Sequence, residues 1–294
     1  MPYFPAAPGG GVLLPNTIDN AILTDMPDGT VKGRALGAGV GDPQDLTLAQ
    51  LRALLGNPVF TQCQLGFVSS SIIRLIRYGG CQLTIDNVPQ IIPAAGVDLA
   101  ATGLTANVVY YIYAYMNAGV MTLLPSSTVP VADARNGVQV MTGDVTRTLV
   151  GMAVPDTGPV WAVTQQKYWV ISYYNRIPKH LRLDISGLST ASTSLVQLSG
   201  FAYFLHWGGV VAPQYLGSTV QSVAASAWHS SGVRVNGSGG FEFSTYVQPT
   251  GAMVNTSGGA SFAVNAGASN LAFWAMVGVG TGSWTGIITM PLEV

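Results

Sequence analysis

The chain has 294 residues, of which 9% are charged and 48% are hydrophobic, and its formal net charge is −1 at pH 7. This balance and the scattered lysines and arginines exclude the basic surface that nucleic-acid binding needs. The longest apolar runs, Val108–Met116 and Leu271–Val279, are far shorter than the ~20 residues of a membrane-spanning helix, so membrane insertion is not expected.

The low charge content also bears on assembly. Ordinary globular proteins carry about 25% charged residues, whereas this chain carries 9% and contains 36 glycines. A surface of uncharged polar loops would account for this composition. So would burial against other chains, because the cores of interfaces are depleted of charge. We favour burial in an oligomer.

The N-terminal segment, up to about Asp45, predicts an extended arm. It begins MPYFPAAPGGGVLLPNTIDN, and proline fixes extended backbone whereas glycine loosens it. Such an arm becomes ordered only when something holds it. We therefore interpret it as an attachment device whose apolar side chains fill pockets on a partner protein. The side chains expected to do so are Leu13, Leu14, Ile22 and Leu23.

A glycine run near the end of the arm has some features of a nucleotide-binding loop. The pattern G-x-G-x-G spans Gly37–Gly41, but Asp42 stands where a third fingerprint glycine is required. The residues before the run do not predict a buried strand, and the chain lacks the Gly-Lys-Ser or Gly-Lys-Thr of a Walker loop. We therefore predict a flexible joint and no bound cofactor.

One clear helix is predicted, over Thr47–Leu55. Thr47 and Gln50 have the spacing of a capping box, and the sequence Gly56-Asn57-Pro58 ends the helix. Its apolar face is expected to pack in a subunit seam or against a partner. The residues of this face are Leu48, Leu51 and Leu55.

From about Val59 onward the pattern predicts short strands. The clearest runs are Tyr110–Met116, Gly137–Met141, Thr146–Val154 and Tyr168–Asn175. Turn signals at Asn117-Ala118-Gly119 and Arg135-Asn136-Gly137 separate some of these runs. The segment Arg176–Leu181 predicts a linker, and the Gly-rich strands beyond it favour an antiparallel sandwich or jelly roll.

The predicted fold is therefore mainly β. It consists of an extended N-terminal arm and one short helix, then a β-domain, and then a C-terminal β-sandwich or jelly-roll-like domain. The expected boundaries are 1–58 for the arm and helix, 59–178 for the β-domain and 179–294 for the C-terminal domain. Cys63 and Cys81 are expected to be free thiols in a reducing cytoplasm, although their pairing stays open.

The acidic residues and histidines of the sequence do not indicate a catalytic or metal-binding site. A glycosidase needs two carboxyl groups beside a cleft, whereas the only glutamates are Glu242 and Glu293. The aspartates are expected to cap turns or to form ion pairs, as Asp144 with Arg147. No histidine has Cys, Asp or Glu neighbours at ligand spacing, and core or interface positions are expected for His180, His206 and His229. We predict that the chain is not an enzyme.

The aromatic residues of the strands admit two interpretations. They could stack on sugars, or they could serve the core and subunit contacts. Alternation along the strands directs half of them inward, which favours the second interpretation. The residues concerned are Tyr110, Tyr111, Tyr113, Tyr115, Trp169, Tyr173 and Tyr174.

Two segments carry a resemblance to a known class. The segment Asn20–Leu55 resembles one that is common in virion appendages of tailed bacteriophages, especially tail fibre proteins, on the runs DMPDGTVKGR, GDPQDLT and AQLRALL. A second stretch, Gly103–Arg176, resembles a β-domain often found behind that segment. From the start of the first stretch to the end of the second, Asn20–Arg176, the resemblance spans somewhat more than half of the chain.

The resemblance implies a non-enzymatic structural protein of a phage virion, made in the cytoplasm of the bacterial host. It implies a homotrimeric fibre or spike subunit that is anchored by its N-terminal arm and exposes its C-terminal β-domain, with host attachment as one role. The expected partners are other copies of the chain and virion proteins of the tail or capsid. A host-surface glycan or protein is a further candidate partner.

Two alternatives stay open. The chain lacks the repetitive shaft of long fibres, which leaves room for a capsid decoration protein or a head fibre that stabilises the shell. The alternative from another class is a polysaccharide-degrading tailspike, which the scarcity of glutamate disfavours.

Overall fold

The computed structural model describes residues 31–39, 44–55, 58–221, 227–247, 253–259 and 261–293. The predicted mainly β fold with one short helix is confirmed within these residues. Contacts divide the chain into two compact units, Met1–Pro58 and Val59–Val294. The predicted anchoring residues lie outside the described residues: Leu13, Leu14, Ile22 and Leu23.

The described part of the first unit is a small hairpin followed by a helix. Strands β1 (Val31–Gly33) and β2 (Gln44–Leu46) pair antiparallel, and helix α1 spans Leu48–Leu55. The predicted capping box is confirmed, because the Thr47 amide donates to Gln50 Oε1 at 2.8 Å and the Gln50 amide donates to Thr47 Oγ1 at 3.2 Å. No helix in the described ranges has the length and apolar character needed to cross a membrane.

The second unit begins with a half built from short strands. They are β3 (Cys63–Ser69), β4 (Ile72–Arg77), β5 (Gln82–Ile85), β6 (Val88–Ile91), β7 (Val97–Ala100), β8 (Tyr110–Asn117), β9 (Val120–Ser126), β10 (Pro130–Ala132), β11 (Gln139–Met141), β12 (Asp144–Ala153), β13 (Val163–Thr164), β14 (Lys167–Tyr168) and β15 (Val170–Ser172).

The main sheet of this half has the order β10-β11-β12-β8-β9, with β15 also paired to β12. A second sheet has the order β3-β4-β7, and β5 pairs with β6. The predicted turn between β8 and β9 is confirmed, since Ala118 and Gly119 both have positive φ and Asn117 pairs with Val120. Two consecutive residues with positive φ give the turn the twist that a tight hairpin needs.

One core cluster holds the sheets of this half together. It includes Leu65 and Ile73 from β3 and β4, and Ile112 and Val150 from β8 and β12. Both cysteines are free, as expected, and burial raises the pKa of the Cys63 thiol to about 12.

The rest of the second unit is an antiparallel sandwich. Its strands are β16 (Pro178–Thr190), β17 (Val196–Gln197), β18 (Ala202–His206), β19 (Gly209–Val211), β20 (Gln214–Gln221), β21 (Ala227–Val235), β22 (Ser238–Val247), β23 (Val254–Gly259), β24 (Phe262–Val264), β25 (Gly267–Val277) and β26 (Gly282–Glu293). One sheet has the order β16-β26-β20-β23 and the other has the order β13-β14-β18-β25-β21-β22. In addition, β17 pairs with β25, and β19 with β24.

The predicted linker at Arg176–Leu181 is wrong for most of its length. Strand β16 begins at Pro178, and Leu181 is buried in the core of the sandwich. This segment forms a strand because its apolar residues alternate with polar ones. Leu181, Leu183 and Ile185 all point inward, and the backbone of β16 pairs with β26. Proline and charged residues at the start of a strand had obscured this pattern.

The two halves of the second unit share a sheet and a core. Strand β14 pairs in parallel with β18, which places Lys167 opposite Tyr203. A third hydrophobic cluster joins Met152 and Ile171 from the first half to Leu205 from the second. The three-domain division with a boundary at 178 stays a prediction.

Candidate functional site

The first candidate site is the hairpin and helix of the first unit. Leu48, at the start of the predicted helix face, is 63% exposed, whereas Leu51 is half-buried. The structure does not describe the side chain of Leu55. Leu36 and Leu54 are also exposed. The packing role of the helix face stays a prediction, and these leucines are available to a partner.

Polar contacts hold the backbone of this hairpin. Lys32 Nζ lies 2.9 Å from Asp45 Oδ1 across the two strands. The Arg34 guanidinium donates to the carbonyl oxygens of Ala38 and Gly39 at 2.6 and 2.9 Å. Leu36 therefore lies in a turn that is held by hydrogen bonds from Arg34, and Leu48 and Leu54 lie on a capped helix.

The second candidate site lies where the two halves of the second unit meet, and aromatic side chains dominate it. The indole Nε1 of Trp207 donates to the carbonyl oxygen of Ser172 at 2.9 Å. Its ring meets Tyr173 edge to face, with centroids 4.9 Å apart, and lies 6.5 Å from Tyr111. Trp207 thus packs between aromatic residues of the first half.

A second aromatic pair lies in the same junction. The rings of Trp169 and Tyr203 meet edge to face at 5.6 Å. Lys167 Nζ lies 4.5 Å from the centroid of Trp169 and 2.6 Å from Asp156 Oδ2, so its charge is shared between a ring and a carboxylate. Tyr111, Trp169 and Tyr173 therefore serve contacts between the halves, in line with the interpretation favoured from alternation.

A pocket of about 350 Å³ opens beside Trp207. Arg176 and Glu293 line it, and their closest charged atoms are 3.6 Å apart. The side chain of Glu293 is 74% exposed, so this ion pair is loose and solvent-screened. Gly208, which follows Trp207, has φ 87° and completes a tight turn at the edge of the pocket.

His206 forms one wall of this pocket, and both of its ring nitrogens have hydrogen-bond partners. The Gly208 amide donates to Nδ1 at 3.3 Å, which leaves the proton on Nε2, 2.8 Å from Ser269 Oγ. Asn236 Nδ2 donates to the same hydroxyl at 3.1 Å. Burial lowers the pKa of His206. This buried ring occupies the core position expected for it, and within the described residues no group of three or more His, Cys, Asp or Glu could hold a metal ion.

The carboxylates of the described side chains are all engaged in ion pairs. Their members are Asp45, Asp86, Asp98, Asp133, Asp144, Asp156, Asp184 and Glu293. The expected pair of Asp144 with Arg147 is confirmed at 3.4 Å. Hydrogen bonds from Arg74 and Arg135 lower the pKa of Asp98 and of Asp133, respectively. A catalytic general acid needs the opposite shift.

Sequence reasoning missed Trp207 as the centre of the junction. Trp207 precedes the pair Gly208-Gly209, and both glycines have positive φ. A large aromatic residue directly before such a turn is the signal that was available. Nothing local to the sequence indicates that its indole reaches Ser172.

No family model matches the chain, and no curated protein matches it. Among solved structures, it is similar to that of the infectious bursal disease virus Gx strain, with 11% identity, a TM-score of 0.27 and coverage of 80% of this chain and 68% of that chain. Dimeric latent PorU from Porphyromonas gingivalis gives 8% identity and a TM-score of 0.28, with coverage of 66% of this chain and 20% of that chain. The exo-beta-1,3-galactanase from Phanerochaete chrysosporium gives 12% identity and a TM-score of 0.22, with coverage of 78% of this chain and 56% of that chain. All three similarities are weak.

Proposed function

We propose that the chain is a non-enzymatic structural subunit of a bacteriophage virion. It acts as a trimeric fibre or spike subunit that the N-terminal part anchors to the particle. The C-terminal half is presented outward for contact with a host-surface glycan or protein. The observation that carries the proposal is the set of solvent-exposed leucines on the braced hairpin and capped helix, Leu36, Leu48 and Leu54.

These leucines fit an anchor for a physical reason. An exposed apolar side chain gains about 25 cal/mol for each Å² that a partner removes from water. The paired strands and the capped helix hold part of this backbone in place, which lowers the conformational entropy lost on binding. The leucines also lie within the stretch Asn20–Leu55, which resembles the appendage segment.

The engaged carboxylates support the non-enzymatic role over the tailspike alternative. Hydrolysis of a glycosidic bond needs one carboxylic acid that stays protonated, and therefore one raised pKa. The pKa values of Asp98, Asp133 and Asp144 are all lowered, each by a hydrogen bond to the charged form. Incubation of the pure protein with host capsular polysaccharide should release no reducing ends.

Removal of the first unit tests the anchor. A chain beginning at Val59, the start of the second unit, should fold and trimerise but be absent from purified particles. Incorporation at normal copy number would contradict the proposed anchor. Electron microscopy of particles labelled on this chain separates a tail location from the capsid location of a decoration protein or head fibre.

A further inference from the structure

The edge of the sheet beside β25 is open where β21 ends. Strand β21 pairs with β25 as far as Val235, which lies opposite Leu271. The next residue, Asn236, exchanges two hydrogen bonds of 2.9 Å with Asn270: its amide donates to the Asn270 carbonyl oxygen, and its Oδ1 accepts from the Asn270 amide. The chain then turns back into β22 at Gly237, whose φ is 71°. Before Asn270, β25 therefore has no neighbour on this side among the described strands.

Hydrogen-bond alternation shows where the main chain of this part of β25 points. Along an antiparallel strand, successive residues direct their N–H and C=O groups alternately toward one neighbouring strand and the other. Asn270 directs its groups toward Asn236. Its partner on β18, Tyr203, donates its amide to the Gln166 carbonyl oxygen on the far side of β18. Ala268, two residues before Asn270, therefore also directs its N–H and C=O away from β18, toward the side where β21 has ended.

A groove of about 710 Å³ lies along this edge. The continuous stretch Ser261–Ser269, which holds β24 and the start of β25, forms its wall, and Val235 and Asn236 line it at the end of β21. Strand β24 pairs only with β19 among the described strands, so its second edge is unpaired as well. We call Ser261–Ser269 the open edge. The groove occupies the place that β21 would fill if it continued beyond Asn236.

The open edge lacks the features that protect other sheet edges of this chain. Exposed edges are usually blunted by charged residues or by proline. The edge strand β10 begins with Pro130. The edge strand β16 begins with Pro178 and carries Lys179 and Arg182. By contrast, no described residue that lines the groove is charged or is a proline, and small residues border it: Ala263, Ala266, Gly267 and Ala268. The three alanines are exposed, so the edge is accessible to another main chain.

We propose that the open edge binds an extended, uncharged peptide segment of a partner protein, which joins the sheet as an additional strand in line with β21. The alternating N–H and C=O groups of a strand edge are complementary to a second extended main chain. The alanines and the glycine let that chain approach to the ~4.8 Å spacing of paired strands. A charged segment would lose hydration without gaining a partner, because the groove offers no opposite charge. The inference adds a docking site to the proposed structural role and does not require the trimer.

A strand peptide tests the proposal on the full chain. The probe is a fluorescein-labelled, end-capped peptide of alternating threonine and valine, about six residues long, which is the common length of a strand. Fluorescence anisotropy should show saturable binding with a dissociation constant below about 1 mM. The same peptide with every amide nitrogen methylated cannot donate main-chain hydrogen bonds, so it should bind at least about tenfold more weakly.

A lysine on the open edge supplies a variant of the protein itself. Ala268→Lys should weaken binding of the peptide by about tenfold, because a lysine on a strand edge opposes pairing. Ala132→Lys is the matched control, since Ala132 is an exposed alanine on the edge strand β10. Absence of saturable binding, equal binding of the methylated peptide, or unchanged binding by Ala268→Lys would overturn the proposal. Tighter binding of a peptide that copies residues 1–18 would assign the groove to this chain's own N-terminal segment and overturn the partner protein. Incorporation into particles tests the proposed function separately.

Discussion

The indole nitrogen of Trp207 and the carbonyl oxygen of Ser172 form a hydrogen bond of 2.9 Å that links the two halves of the second unit. Trp207 belongs to the sandwich, whereas Ser172 ends β15 of the first half. The same indole packs against the cluster formed by Met152, Ile171 and Leu205. Trp207 therefore supplies both a polar and an apolar contact to the junction.

Truncation of Trp207 should destabilise the protein more than loss of its hydrogen bond alone. Trp207→Ala should lower the free energy of unfolding by about 2–4 kcal/mol, somewhat below the range for a fully buried tryptophan. Trp207→Phe keeps a ring and should lose about 1 kcal/mol. Urea denaturation measures both, with the exposed Val210→Ala as control. Equal losses for the two variants would show that the apolar contact adds nothing.

Acid should destabilise the fold through buried histidines. His229 is 1% exposed, neither ring nitrogen has a hydrogen-bond partner among the described residues, and burial lowers its pKa from 6.5. The unfolded chain therefore binds this proton more readily than the folded one. The free energy of unfolding is therefore not reduced by His229 above pH 6.5, where this residue is neutral in both states. It falls as the pH drops from 6.5 toward the folded-state pKa of His229.

Denaturation midpoints between pH 8 and pH 5 measure this dependence. His229→Leu removes the ionising group at similar volume and should reduce the slope by up to about 1.4 kcal/mol per pH unit. His206 contributes in the same direction, so some slope should persist. The exposed His180 offers a control, as His180→Gln. An unchanged slope in His229→Leu would mean that His229 does not titrate in this range.

Gly151 on β12 is required for close packing. A Cβ there would clash with the side chain of Leu65 and with the carbonyl oxygen of Ile171. Because the backbone must shift to relieve the clash, Gly151→Ala should cost about 1–3 kcal/mol. Gly66→Ala, on β3, has open space and should be nearly neutral. Thermal denaturation compares the two variants, and equal melting temperatures would contradict the packing argument.

A charge on the helix of the first unit should separate folding from assembly. Leu48 is 63% exposed, so Leu48→Asp should change stability by less than about 0.5 kcal/mol. If the leucine contacts a virion protein, the same variant should be under-represented in purified particles, because binding would bury an unpaired carboxylate. Val120→Asp, equally exposed on the second unit, is the control. Normal copy number for Leu48→Asp would exclude this leucine from the anchor.

The features that sequence reasoning predicted best are those that neighbouring residues determine. The capping box needs only Thr47 and Gln50, and the β8–β9 turn needs only Ala118 and Gly119. By contrast, the strand at Pro178–Leu181 was mistaken for a linker because its pairing partner lies at Met290–Glu293, far along the chain. The junction depends on long-range contacts of the same kind, so no local pattern indicates that Trp207 reaches Ser172.

The pairing of Pro178 with Glu293 has a consequence for biosynthesis. The first strand of the sandwich finds its partner only when the last strand has left the ribosome, and such non-local pairing folds slowly. A nascent chain must therefore carry an unclosed sheet with exposed edges, which is prone to aggregation. Premature termination anywhere before β26 leaves the β16 edge open. Synthesis of β26 is therefore required before the sandwich can close, and a chain that stops before β26 cannot complete this sheet.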